Sequence, residues 1–210
     1  MTSLVLASAS PRRHELLSAL VREFEIKVAD VDETLGDDPI ADAVRLASAK
    51  ARRIGSETPT GSVVLGADTI VFDDRRSFGK PADPKEAQSM LHELAGRPHS
   101  VVTAVAVITE GNRLADHVIS RVTLTPLGDE AIASYVASGR PLDKAGSYAI
   151  QDYDVPTVSR IAGCRCGVIG LPLWRVRRLF EAAGIASRRP DSTYPRCAGC
   201  PSRRLPPLQV

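Results

Sequence analysis

Two adjacent arginines lie at the start of a predicted helix, directly after a short apolar run. In the segment Ser8–Arg13, Ser10 suits the N-cap and Pro11 suits the first helical position, which places Arg12 and Arg13 in the first turn. Cations at this end oppose the helix macrodipole. A bound anion would reverse that penalty, because free N–H groups, hydroxyls and guanidinium groups together form a phosphate site. Two exposed arginines that tolerate a small penalty are the alternative.

A single carboxylate lies near the middle of a long apolar strand predicted over residues 62–72. Burial of Asp68 without a partner would be very costly, so it requires cationic partners, a metal ion or a cleft. Gly66 and Ala67 leave room for a ligand beside the backbone. A strand-end aspartate that accepts hydrogen bonds from backbone N–H groups is the alternative.

Further charged residues could supply those partners. Lys50 flanks the apolar stripe of a helix predicted from Asp38, Lys80 precedes a proline and a capped helix, and Glu33 follows the second predicted strand. Two carboxylates, two lysines and two arginines suggest metal-assisted phosphate chemistry. The motif G-x-x-x-x-G-K-[ST] is absent, which excludes a P-loop. Taken singly, Lys50, Lys80 and Glu33 are more often ordinary surface charges.

A third motif, Asp143–Gln151, combines a glycine and small residues with polar groups at both ends. The small residues allow close approach of the backbone to a ligand. Gln151 has a donor and an acceptor that could pair with the edge of a nucleotide base. Taken alone, however, the motif favours a glycine turn that leads into a strand.

The composition is that of a folded protein of ordinary domain size. The chain has 210 residues, of which 43% are hydrophobic and 25% are charged, which excludes a disordered protein. No apolar run approaches the roughly 18 residues of a membrane span, so we expect no membrane partner. The N-terminus lacks the features of a secretory signal. We therefore expect a cytoplasmic location, and cysteines that are thiols or metal ligands rather than disulfides.

Apolar periodicity predicts strands and helices in mixed order, hence an α/β or α+β class with a mixed sheet. The strands are predicted at 4–7, 24–31, 62–72, 101–108, 118–124, 155–161 and 167–171. The helices are predicted from Pro11, from Asp38, and at 83–96, 129–138 and 172–183. Periodicity ends near residue 187. We therefore predict one domain over 1–186 and a basic Pro/Arg-rich tail over 187–210.

The C-terminal end is basic and carries all four cysteines. Residues 160–210 hold ten Arg and two acids, a balance of +8, so residues 1–159 carry −6 of the net +2. We interpret this as a solvated arginine-rich tail and do not expect a nucleic-acid partner. Four thiolates at Cys164, Cys166, Cys197 and Cys200 could bind a structural zinc ion. Four ordinary thiols are the interpretation that the sequence favours, because C-x-C is a less common half-site and the second pair lies in the tail.

Taken together, these motifs resemble the Maf family of nucleoside triphosphate pyrophosphatases. The resemblance covers about residues 3–184 and includes the late Gly170-Leu171-Pro172. The form of the motifs is similar to the dTTP/UTP pyrophosphatase branch. The resemblance implies an elongated α/β fold with a mixed sheet, flanking helices and a central cleft, shared with inosine triphosphate pyrophosphatases. It also implies hydrolysis of a nucleoside triphosphate to the monophosphate and diphosphate with Mg²⁺ or Mn²⁺.

The resemblance also implies roles for individual residues. Asp68 would be the general base and a metal-site carboxylate, and Glu33 would help to hold the metal. The triphosphate would be held by four side chains: Ser8, Arg13, Lys50 and Lys80. Preference for the base would depend on three more: Arg12, Thr69 and Gln151.

The sequence departs from the family pattern in four places, one of which is the unusual Cys164-Arg165-Cys166 pair. Gln151 is followed by Asp152-Tyr153, where the family usually has glycine, and Gly167 stands where the family usually has asparagine. The segment after about Ala186 has no counterpart that we recognise. The alternatives are a different base preference, removal of modified nucleotides, or a cell-division (septum formation) regulatory protein with the same fold. The frequent dimers of the family leave a homodimer open.

Overall fold

A mixed β-sheet flanked by helices forms the architecture of the computed structural model, which describes residues 3–152, 155 and 157–204. This confirms the predicted fold class. The elements follow in the order β1 (Leu4–Ala7), α1 (Pro11–Ser18), β2 (Glu25–Lys27), α2 (Pro39–Gly55), β3 (Val63–Phe72), β4 (Ser77–Phe78), α3 (Pro84–Leu94), β5 (Pro98–Ile108), β6 (Arg113–Leu124), α4 (Asp129–Ala137), β7 (Val158–Ala162), α5 (Arg165–Ile169), α6 (Leu173–Ala182) and α7 (Pro190–Thr193). Among the described residues, no helix has the length and apolar content that crossing a bilayer requires.

The seven strands of the described residues pair in the order β2-β1-β3-β5-β6-β7, and β4 pairs with β3. β1 is parallel to both β2 and β3, whereas β4 and β7 are antiparallel to their partners. The sheet is therefore mixed. The parallel register sets Ala7 beside Gly66. Since β1 ends at Ala7 and β3 continues past Gly66, the loop after β1 begins next to the part of β3 that carries Asp68.

The chain divides into two compact units. The first contains the described residues of Met1–Thr69, Val102–Val118 and Cys164–Val210, and the second those of Ile70–Val101 and Ile119–Gly163. The first unit has a core of apolar side chains from β1, α1, α2 and β3, which include Leu6, Leu17 and Leu65, each fully buried.

Two helices begin where the sequence predicts. The Asp38 carboxylate accepts hydrogen bonds from the backbone N–H groups of Ile40 and Ala41 at 2.8 and 3.1 Å, which caps α2. The Asp83 carboxylate caps α3 by accepting from the N–H of Glu86 at 2.8 Å. Each capped helix also has a proline in its first turn, where a missing N–H costs no helical hydrogen bond.

The space beside Gly66 is filled by helix α2, not left for a ligand. A Cβ atom at Gly66 would lie 2.2 Å from the carbonyl oxygen of Ala47 and 2.9 Å from the backbone nitrogen of Ala51. The prediction that Gly66 leaves room for a ligand is therefore wrong. Glycine is required here because α2 and β3 touch through their backbones.

Three predicted strands differ in the structure. Residues 167–171 lie not in a strand but in helix α5 and the turn after it. A short buried apolar run does not by itself distinguish strand from helix. The second strand is shorter than predicted and spans Glu25–Lys27. The strand predicted at 155–161 begins at Val158 rather than at residue 155. Pro156, within the predicted span, lies outside the described residues.

The segment after residue 186 belongs to the first unit and, as far as the structure describes it, packs against the rest of that unit. It forms α7 and two short 3-10 helices, Pro195–Cys197 and Pro201–Arg204. The backbone N–H of Arg188 donates to the carbonyl of Leu20 at 2.8 Å, and the Thr193 hydroxyl donates to the carbonyl of Ala19 at 2.8 Å. Residues 205–210 of the predicted tail lie outside the described residues.

Candidate active site

A lysine and two carboxylates form the centre of the candidate site. The Lys50 Nζ atom lies 2.6 Å from Asp68 Oδ1 and 2.6 Å from Glu33 Oε1. Lys50 and Asp68 are buried, with 8% and 6% of their surfaces exposed, whereas the Glu33 side chain is 47% exposed. The ammonium group therefore compensates two carboxylates at once, which is the condition under which Asp68 can be buried within a strand.

Two rigid elements and one loop position this cluster. Lys50 lies on α2, on the face that packs on β3, between the buried Leu46 and Ile54. Asp68 lies on β3, two residues after the close approach at Gly66. Helix and strand are thus held at backbone contact beside the ion pair, and packing rather than a flexible loop sets the distance between Lys50 and Asp68.

Arg13 ties the first predicted motif to β3. Its guanidinium donates to the Ser8 hydroxyl at 3.2 Å, to the Thr69 hydroxyl at 3.1 Å and to the carbonyl oxygen of Gly170 at 2.9 Å. The Ser8 hydroxyl in turn accepts from the N–H of Ser10 at 3.2 Å. Ser10 occupies the N-cap position of α1, as the sequence predicts, but its side chain makes no capping bond.

Arg13 is buried and lies close to other charged side chains. Burial lowers the pKa of Arg13, Asp68 and Glu33 oppose that shift, and Arg12 adds to it. The guanidinium of an arginine stays protonated at neutral pH even so. Arg13 is therefore a permanent cation within electrostatic reach of the cluster centred on Lys50, with a second cation beside it at Arg12.

Thr103 is a site-forming residue that the sequence analysis did not identify. Its fully buried hydroxyl lies 2.9 Å from the Thr69 hydroxyl and donates to the carbonyl oxygen of Gly167 at 2.7 Å. It therefore links β3 to the α5 segment through β5. A polar residue within the apolar strand 101–108 was the signal that could have indicated it.

The two remaining predicted regions lie in the second unit and are adjacent there. The N–H of Gly146 donates to the carbonyl oxygen of Gly79 at 3.1 Å, which joins the third motif to the loop that carries the exposed Lys80. Gly146 has a φ of +69°, and a Cβ there would lie 3.1 Å from Val71. The predicted close approach at this glycine is therefore to protein atoms.

Asp152 has a structural partner that accounts for its place after Gln151. The Tyr135 hydroxyl donates a short hydrogen bond to the Asp152 carboxylate, and the N–H of Ala149 donates to the same hydroxyl at 3.3 Å. Burial and Asp152 together raise the pKa of Tyr135, so it stays a donor. Gln151, which is half-buried, therefore lies between Ala149 and Asp152, which are both hydrogen-bonded to Tyr135 of α4. Tyr153 lies outside the described residues.

The structure therefore gathers all the predicted nucleotide-site residues of the first unit into one network. Contacts or electrostatic interactions join these seven residues: Ser8, Arg12, Arg13, Glu33, Lys50, Asp68 and Thr69. Lys80 and Gln151 belong to the second unit. Within the described residues, no group of three or more His, Cys, Asp or Glu side chains is arranged as a preformed metal site.

The sequence of the chain is similar to a known family over most of its length. The sequence profile described as "Maf-like protein" matches residues 3–183. A dTTP/UTP pyrophosphatase of Thermomicrobium roseum is 42% identical over an alignment of 213 positions, gaps included, which covers 99% of this chain and 96% of that protein. The dTTP/UTP pyrophosphatases of Symbiobacterium thermophilum and Geotalea uraniireducens are 43% and 45% identical over 88% and 83% of this chain, and over 95% and 92% of their own. At 99% coverage, the first alignment extends past residue 186, so that segment does have a counterpart.

Proposed function

The chain belongs to the Maf family, and we propose that it hydrolyses dTTP and UTP to the nucleoside monophosphate and diphosphate. The relatives named above carry that activity in their names. The observation that carries the proposal in this chain is the buried Lys50–Asp68 pair with Glu33 and with the arginines of α1 nearby. Such a set of charges suits a substrate that is itself a polyanion.

The carboxylates fit a divalent metal ion, Mg²⁺ or Mn²⁺. Asp68 and Glu33 both have an oxygen 2.6 Å from one ammonium nitrogen, so the two carboxylates converge on a single cation. Mg²⁺ is commonly bound by one or two carboxylates together with substrate phosphates, so a cage of three or more protein ligands is not required. When bound, the metal would neutralise part of the negative charge on the phosphate oxygens.

The side chains of the chain supply the remaining steps. Asp68 orients a water molecule and accepts its proton as the water attacks the α-phosphorus atom. The bond from that phosphorus to the bridging oxygen breaks, and diphosphate leaves. Cationic side chains stabilise the negative charge that develops on this leaving group. We assign that role, with the Ser8 hydroxyl, to Arg13, Lys50 and Lys80.

Base preference is the finer part of the proposal. We assign it to Arg12, Thr69 and Gln151. The amide of Gln151 presents both a donor and an acceptor, as the edge of a uracil or thymine base does. A site that pairs with one base edge rejects a base that leaves its polar groups unpaired. The substrates are those of the cytoplasmic nucleotide pool, where we expect the protein to act.

A diphosphate-release screen over the common and modified nucleoside triphosphates, with Mg²⁺ and with Mn²⁺, tests the proposal. We expect kcat/KM to be at least about tenfold higher for dTTP and UTP than for ATP and GTP, with monophosphate and diphosphate as products. An Asp68→Asn protein purified in parallel reports contaminating phosphatases. Release of inorganic phosphate and a nucleoside diphosphate would exclude the proposed reaction, and equal rates with ATP would exclude the base preference.

A further inference from the structure

All four cysteines of the chain lie at one place, although 30 residues separate the two pairs in sequence. Cys164 is the N-cap of α5 and Cys166 lies within that helix. Cys197 ends the 3-10 helix Pro195–Cys197, and Cys200 follows it. Each is buried, with between 1% and 8% of its surface exposed. The short helices at residues 190–204 thus bring the second pair to the first.

The sulfur atoms pair across the two segments rather than within them. Cys166 Sγ lies 3.1 Å from Cys197 Sγ, and the thiols of Cys164 and Cys200 are hydrogen-bonded to each other. Cys166 also interacts electrostatically with Cys164 and Cys200. The two pairs therefore form a single four-sulfur cluster, to which each segment contributes two sulfurs. The cluster is composed of Cys164, Cys166, Cys197 and Cys200.

Polar groups already surround this four-sulfur cluster. The backbone N–H of Gly167 donates to Cys164 Sγ at 3.3 Å, and the Ser202 hydroxyl lies 3.2 Å from Cys200 Sγ. A neutral thiol is a weak acceptor and gains little from such donors, whereas a thiolate ligand is commonly hydrogen-bonded by its outer shell. The indole N–H of Trp174 donates to the carbonyl of Cys197 at 3.0 Å.

We propose that the four-sulfur cluster is a structural site for zinc, which fastens residues 187–204 to helices α5 and α6. Four thiolates are a common ligand set of closed zinc sites, and Cys197-x-x-Cys200 has the spacing that such sites typically use, whereas Cys164-x-Cys166 is the less common half-site. Uptake of the ion as Zn(S-Cys)₄ releases the four thiol protons and forms four Zn–S bonds. The ion is redox-inert, so no oxidant or reductant is required.

A modest rearrangement accommodates the ion. The 3.1 Å between Cys166 Sγ and Cys197 Sγ is a hydrogen-bond distance, whereas Zn–S bonds of about 2.3 Å separate the sulfurs of a tetrahedron by about 3.8 Å. The sulfurs must therefore move apart by about 0.7 Å, which side-chain rotations can provide. The sequence alone favoured ordinary thiols because it could not show that the two pairs meet; their meeting in a buried cluster is the new observation.

The charge of the surroundings suits the loaded site. A tetrathiolate zinc centre carries a net charge of −2, and the segment 160–210 that holds it has ten arginines and two acids. Arg175 interacts electrostatically with Cys164. Arg189 and Arg203 lie over the Trp174 ring, 5.8 and 5.5 Å from its centroid. Of these three, Arg175 acts directly on a cluster residue and would offset part of the charge, although it is also paired with Asp116 at 2.7 Å. Arg189 and Arg203 are paired with Asp191.

The metal content of the full-length protein, produced without zinc supplements, tests the inference independently of catalysis. We expect about one zinc per chain, released when a mercurial reagent modifies the thiols, and below about 0.1 zinc in Cys197→Ser. Ser192→Ala, an exposed serine of the same segment, is the matched control and should keep its zinc. Less than about half an equivalent in the wild-type protein, or a zinc content unchanged by Cys197→Ser, overturns the proposal.

A second measurement covers a variant that does not fold. When wild-type protein stripped of metal is titrated with Co²⁺, the intense visible bands of tetrahedral cobalt–thiolate coordination should appear and reach their maximum with one equivalent bound at the cysteines. Absence of these bands from folded protein with four titratable thiols overturns the proposal. A chain mass lower by four hydrogens, which indicates two disulfides in protein kept from air, also overturns it.

Discussion

At the scale of single residues, Asp68 and Lys50 form the buried pair on which the proposed chemistry depends. We expect Asp68→Asn to lower kcat by about 10²–10⁴-fold, because asparagine keeps the size of the side chain but cannot accept a proton. Lys50 retains Glu33 as a partner at 2.6 Å, so the variant should stay folded. Steady-state kinetics with dTTP and thermal unfolding of the same samples measure the two effects.

Asp73→Asn is the control for Asp68→Asn. The Asp73 side chain is 16% exposed and accepts hydrogen bonds from the backbone N–H groups of Arg75 and Arg76, so it is a largely buried carboxylate outside the cluster. Its loss should change stability and leave kcat within about twofold, because it takes no part in the proposed proton transfer. A folded Asp68→Asn protein that keeps most of its kcat shows that Asp68 is not the base.

The residue types of the site could be predicted from the sequence, but their pairing could not. A carboxylate inside an apolar strand must have a partner, and this argument identified Asp68 and its cationic candidates. Which lysine pairs with it depends on how α2 lies on β3, and no local pattern shows that. Thr103 was missed for the same reason: its role comes from Thr69 and Gly167, which are distant in sequence.

At the scale of elements, the contact between α2 and β3 sets the distance between Lys50 and Asp68. We expect Gly66→Ala to destabilise the protein by about 1–3 kcal/mol or more, because the new Cβ would overlap the Ala47 carbonyl, 2.2 Å away. Helix α2 must move to relieve the overlap, which separates Lys50 from Asp68 and lowers kcat/KM. Chemical denaturation and steady-state kinetics measure the two quantities.

Gly55→Ala, at the end of helix α2, is the control for Gly66→Ala. The nearest atom to a Cβ at Gly55 is in Ile108, 4.0 Å away, so the alanine fits. It should leave activity unchanged and raise stability by up to about 1 kcal/mol through helix propensity. If Gly66→Ala is as stable and active as Gly55→Ala, the backbone contact does not control the site.

Capped helices were the elements that the sequence predicted best, because Asp38 and Asp83 mark the start of each helix by a local hydrogen bond. Helix α5 was mistaken for a strand because its start signal is a sulfur cap from Cys164. Gly167 lies in the same turn: its N–H donates to Cys164 Sγ, and a Cβ there would lie 2.7 Å from Val118. The unusual glycine and the C-x-C pair are therefore parts of one local structure.

At the scale of the whole molecule, His99 makes the stability of the fold depend on pH. His99 is 1% exposed, and its Nε2 lies 2.7 Å from the Tyr148 hydroxyl. Burial lowers the pKa of His99 from 6.5 to about 4, an effect that the Arg97 backbone and Asp73 oppose and Arg121 reinforces. Between these two values the unfolded chain binds a proton that the folded chain does not, so stability falls as the pH falls.

We expect His99→Gln to remove this part of the acid sensitivity. From pH 7 to pH 4, the wild-type protein should lose up to about 3 kcal/mol more unfolding free energy than the variant, since each unit of pKa shift corresponds to about 1.4 kcal/mol. Glutamine cannot titrate and can still bond the Tyr148 hydroxyl. Denaturant unfolding at several pH values gives the difference, and His92→Gln, an exposed histidine of α3, should retain the wild-type slope. Parallel pH curves for wild type and His99→Gln would show that His99 is not the group responsible.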